Sequence, residues 1–75
     1  MKVAQAKILH AENQLVAVDL IRNPSNIEQW FILVIHRDGQ TFFLEEAGKP
    51  LIFKDITESI ILLKEIGFKK AQIHL

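Results

Sequence analysis

Apolar residues along this chain follow two rhythms, and the switch between them separates strands from helix. Residues 15 to 22, LVAVDLIR, are aliphatic and rich in β-branched side chains, and Asn23 and Pro24 after them supply turn chemistry, which predicts a strand and then a loop. Residues 30 to 36, WFILVIH, place Trp30, Ile32 and Val34 on one face and Phe31, Leu33 and Ile35 on the other. Both faces want to leave water, so this run is expected to be a central strand. Asp38-Gly39 separates it from QTFFLEE, and a D-G pair between two such segments predicts a tight hairpin at residues 37 to 40.

The rhythm changes near Asp55. From about Ile56 to Ile66 the spacing predicts a helix, with Ile56, Ile60, Leu62, Leu63 and Ile66 in one arc of about 160° and Thr57, Glu58, Lys64 and Glu65 opposite. Asp55 and Glu58 have the spacing of a capping box, and Gly67 suits the left-handed position after the last turn, with Phe68 packing back on Leu63. Ile61 alone points away from the apolar arc. In KKAQIHL, Ala71, Ile73 and Leu75 alternate with Lys70, Gln72 and His74, the pattern of a half-buried strand. At the start of the chain, Ala4, Ala6 and Ile8 alternate with Gln5 and Lys7 and are read as a strand, although Ala, Gln and Lys also favour helix.

The expected order is therefore β-β-β-β-α-β. This is an α+β domain, a small antiparallel or mixed sheet of about five strands with one helix on one face. One helix covers one side of such a sheet, so the other face of residues 30 to 36 must be covered by the N-terminal segment or by another chain. A homodimer is the simpler answer, and Trp30, Ile32, Val34 and the outward Ile61 are the candidate self-association residues.

Composition narrows the classes. Seventy-five residues allow one domain, 1–75, close to the lower size limit for folding alone. No cysteine is present, which removes disulfides and thiolate metal sites as sources of stability. The N-terminus lacks an apolar run of signal-peptide length and no run is long enough to span a bilayer, so a cytoplasmic location without membrane contact is expected. Nine Lys and Arg balance nine Asp and Glu; residues 1 to 48 carry a net −2 and residues 49 to 75 a net +2.

The segment of residues 38 to 73 resembles a class of small uncharacterised bacterial proteins. Its D-G hairpin, aromatic-x-leucine strand, G-x-P turn, Phe before a short cap, and helix ending L-x-x-x-G are carried by Asp38, Gly39, Phe42, Leu44, Gly48, Pro50, Phe53, Leu63 and Gly67. A similar stretch occurs in accessory proteins of plasmid maintenance and partition, where the link to nucleic acid is one of context. The resemblance implies the fold and brings no catalytic residues.

Little in the sequence asks for chemistry. His10, His36 and His74 lack metal-ligand spacing, and the adjacent Glu45 and Glu46 point to opposite faces of a strand, so they are not a paired acid and base. Asp19 interrupts an apolar strand; it is expected on the wet face, or else beside Arg22, His36 or Arg37. Ser25 and Ser59 have no nucleophile motif, and Gly39, Gly48 and Gly67 are too scattered to cradle a phosphate. Neither a cofactor, a metal nor an enzymatic activity is expected. Lys54, Lys64, Lys69 and Lys70, together with Lys49, form a candidate basic edge with Phe68 as a stacking residue, but balanced charge and the interleaved Asp55, Glu58 and Glu65 argue against nucleic acid. The reading is a non-catalytic, self-associating interaction or accessory module. The alternative is a nucleic-acid-binding accessory protein that uses the lysine edge.

Overall fold

Alternation along the two longest strands decides where the core lies. The computed structural model describes residues 1–74, so the expected inward placing of Leu75 lies outside the described residues. The elements are α1 (Val3–Ala11), β1 (Leu15–Arg22), β2 (Trp30–His36), β3 (Thr41–Phe43), β4 (Glu45–Glu46), β5 (Lys49–Pro50), α2 (Ile56–Ile66) and β6 (Gln72–His74). Four strands form one mixed sheet in the order β3-β2-β1-β6, with β1 antiparallel to β2, β2 antiparallel to β3, and β6 parallel to β1. The α+β class is as the sequence implied, and β2 is interior.

One face of this sheet is packed. Val18 and Leu20 of β1 and Trp30, Ile32 and Val34 of β2 are buried together with Leu44, with Ala6 of α1, and with Leu63 and Ile66 of α2. Both helices thus lie on one face, and each fully buried aliphatic side chain there contributes about 1.5–3 kcal/mol relative to exposure. Ser59 is also buried, its hydroxyl donating to the Ile56 carbonyl at 2.6 Å. This hydrogen bond removes the cost of an unsatisfied polar group, and the small side chain leaves α2 close to the sheet.

The N-terminal segment is a helix, where a strand was expected. Val3, Ala6 and Leu9 recur three apart and face the core, with His10 next to them against Phe68, while Ala4 and Ile8, two of the three supposed inward positions, are exposed. Ala6 is small enough to let α1 approach α2 and β1 closely. Asn13, at φ 60°, ends the helix in the left-handed conformation, and the Gln14 N–H donates back to the Leu9 carbonyl at 2.8 Å.

The expected single strand QTFFLEE is divided at Leu44. The Leu44 side chain is fully buried and its N–H donates to the Ile32 carbonyl, after which β4 leaves the sheet to pair with β5 as a separate ribbon. Around the D-G pair the Gly39 N–H donates to the His36 carbonyl at 2.9 Å, the His36 N–H to the Gln40 carbonyl at 2.8 Å, and Gly39 has φ 93°. The hairpin is real, but it is a three-residue turn with a glycine bulge rather than a two-residue turn.

The two-residue turn lies in the next ribbon. Ala47 at φ 54° and Gly48 at φ 77° connect β4 to β5, and for alanine the left-handed region costs roughly 1–2 kcal/mol. Ala47→Asn should therefore stabilise the protein by about 0.5–1 kcal/mol, because asparagine tolerates this conformation. A thermal melt is the check, and a lowered midpoint would contradict the turn assignment.

α2 begins where the sequence places it. The Asp55 carboxylate accepts the Thr57 N–H at 2.9 Å; among the described residues Glu58 makes no side-chain bond in return, so the cap is a single bond rather than a box. At the other end Gly67 has φ 121°, and both its N–H and that of Phe68 donate to the Leu63 carbonyl, at 3.1 and 3.0 Å. No helix among the described residues is long and apolar enough to cross a membrane.

Candidate functional site: an open apolar sheet face

The strand register that buries one face of β1 and β2 leaves the other uncovered. Ala17 pairs with Ile35, Asp19 with Leu33 and Ile21 with Phe31, and Leu33 and Ile35 continue across to Phe43 and Thr41 of β3. These side chains share the face turned away from both helices. Ala17, Asp19, Ile21, Phe31, Leu33 and Ile35 are half-buried there, and Phe43 keeps 43% of its surface in water. Phe31 and Phe43 meet edge to face, with ring centroids 5.7 Å apart, and Pro50 of the β4–β5 ribbon borders the shallow hollow beside them.

A bulge sets this face's lower limit. The register shifts between Leu15 and Ala17, so Leu15 turns into the core while Val16 stays exposed. On the β6 side of the face, Asp19 meets His74, Oδ2 to Nε2 at 3.3 Å, because β6 lies parallel to β1 with Asp19 beside Gln72 and Ile21 beside His74. Asp19 therefore sits on the face away from the helices, although its side chain keeps only 17% of its surface in water. Its neighbour is His74, not Arg22, His36 or Arg37.

The residues proposed for self-association are mostly on the wrong side of the strand. Trp30, Ile32 and Val34 are 6%, 0% and 0% exposed, buried beneath α1 and α2, so they form the core of the single chain. Only Ile61 of that set is exposed, on the outer side of α2. The uncovered residues of the same strand are Phe31, Leu33 and Ile35. The alternation was visible in WFILVIH, but which half faces the helices depends on the tertiary arrangement.

The lysine edge is only partly assembled. Lys64, Lys69, Lys70 and Phe68 border a slot of about 190 Å³ with Leu20 and Ile73, between α2 and β6. Lys54 precedes the N-terminus of α2 and Lys64 lies in its last turn, so about 12 Å of helix separates them. Phe68 packs partly against the core and meets the His10 ring edge to face at 4.6 Å between centroids, which leaves less of it for a base to stack on.

The remaining polar candidates are structural. The Nδ1 of His36 accepts the Asp38 N–H in the hairpin, and the Asn23 side chain accepts the Ser25 N–H in the β1–β2 loop. Glu45 is half-buried and Glu46 exposed on β4. Among the described residues no three His, Asp or Glu side chains converge as metal ligands would. Arg22, which the sequence offered only as a partner for Asp19, lies over the Trp30 ring at 4.8 Å and closes that end of the core. Comparisons with protein-family models, with curated proteins and with solved structures find no match for this chain.

Proposed function

We propose that the protein is a non-catalytic interaction module whose open sheet face binds a second copy of the chain. The observation that carries this reading is the run Phe31, Leu33, Ile35 with Phe43 and Ile21 on a sheet face that neither helix covers. Strands β1 and β2, about 25 Å long, and the three-residue β3 and β6 beside them, about 10 Å long, lie about 4.8 Å apart and present a patch of roughly 300 Å². Apolar patches of this size on a single chain are often functional. The surface holds one acid beside one histidine, so a two-fold axis near Leu33 would bring apolar side chains against apolar side chains.

A patch of that size is below the roughly 800 Å² per partner of a standard stable interface. The association is accordingly weak and concentration-dependent. Sedimentation equilibrium from micromolar to near-millimolar protein should show the apparent mass rising from one chain toward two. Leu33→Lys should hold the protein monomeric throughout, while Ile61→Lys, on the opposite side of the molecule, should leave the association unchanged. A single-chain mass at every concentration would end this reading, and dissociation by Ile61→Lys alone would move the interface to α2.

A further inference from the structure

The sheet has a second incomplete feature, at its β6 edge, and it does not depend on the dimer. β6 pairs only with Asp19, Leu20 and Ile21, so residues 15 to 18 of β1 have no neighbouring strand on that side among the described residues. The space where such a strand would continue is an open slot of about 600 Å³, within the range of about 300–1,000 Å³ seen for ligand sites. β1 from Leu15 to Asp19 forms one wall and residues 67 to 72 form the other, with the His10 ring at the end.

An open strand edge offers backbone N–H and C=O groups that an extended peptide can pair with. Four residues of strand span about 13 Å, so the free length of β1 suits a short segment. The bulge leaves Val16 exposed toward this space, giving an apolar contact beside the edge. Charge then selects the peptide. Lys69 and Lys70 line the slot, and among the described residues neither has a carboxylate within ion-pair distance, whereas the slot's one acid, Asp19, already faces His74. We infer that the slot beside β1 receives an extended acidic segment of a partner protein, added as a short strand along residues 15 to 18, with its carboxylates against Lys69 and Lys70.

The test uses the whole chain and a labelled, end-capped peptide of alternating valine and glutamate. Fluorescence anisotropy should show saturable binding, and amide resonances of residues 15 to 18 and 69 to 72 should shift. A peptide N-methylated at alternate positions cannot form the strand ladder, and a valine-lysine peptide has the wrong charge; each should bind about tenfold more weakly or not at all. Lys69→Glu with Lys70→Glu should weaken the valine-glutamate peptide by a similar factor while leaving the melting temperature in place, since both side chains are exposed. Absence of binding at millimolar peptide would overturn the inference and make the lysines guards against strand addition. Binding indifferent to N-methylation, or shifts confined to the open sheet face, would overturn it as well. So would occupation of the slot by a second copy of the chain, seen as shifts at residues 15 to 18 that depend on protein concentration without peptide.

Discussion

Gly67→Val is expected to destabilise the protein by about 2–4 kcal/mol, because two separate costs fall on one atom. At φ 121° the backbone of residue 67 occupies a region that a β-branched residue enters only under strain. In addition, a Cβ built at this position would lie 2.8 Å from Cε1 and Nδ1 of His10, closer than real contacts allow. The imidazole borders the open slot beside β1, so it can relieve this contact by turning into the slot, at the cost of its packing on the Phe68 ring. For a chain of 75 residues with a total stability of roughly 4–11 kcal/mol, this removes a large share and lowers the melting temperature by roughly 10 °C or more.

The two costs separate in a double-mutant cycle. His10→Ala should destabilise the unaltered chain, because it deletes the contact with Phe68, but should recover part of the stability lost in Gly67→Ala by making room for the methyl group. Simple additivity would show that the close approach is not what glycine serves here. An unchanged melting temperature in Gly67→Val would remove the helix-end assignment altogether.

Adjacent residues of β2 should respond in opposite ways. Ile32 is fully buried between the sheet and the helices, so Ile32→Ala should cost about 2–5 kcal/mol from lost transfer energy and the cavity left behind. Leu33, one position on, faces the uncovered side, and Leu33→Ala should cost about 1 kcal/mol or less in dilute protein. Denaturant melts at low micromolar concentration measure both without interference from association. Equal costs at the two positions would mean that both faces of the sheet are covered. A larger effect at Leu33 would mean that the faces are exchanged.

Legibility in the sequence followed the range of the interaction. The hairpin at Asp38-Gly39, the cap at Asp55 and the stop at Gly67 were all readable, because each is decided by hydrogen bonds and backbone torsions within a few residues. The period of α2 was also readable, and Ile61 faces outward as its position on the helix requires. In the first ten residues Ala4, Ala6 and Ile8 imitate a strand while Val3, Ala6, Leu9 and His10 describe a helix face of low contrast, so local pattern could not choose between them. Packing of Ala6 against α2 and β1 made the choice.

By itself the sequence determined a small α+β chain with β1, β2, a glycine-bearing hairpin, α2 and a last short strand, because side-chain period and turn chemistry act locally. Only the tertiary structure decided that a second helix joins the first on one face, that Trp30, Ile32 and Val34 are core while Phe31, Leu33 and Ile35 face away from the helices, and that β6 pairs with only three of the eight residues of β1. The physical reason is that a two-sided apolar strand is symmetric in its own pattern. Which face is buried depends on where distant helices dock, and the gap beside β1 depends on a parallel register formed between residues some fifty positions apart in the chain.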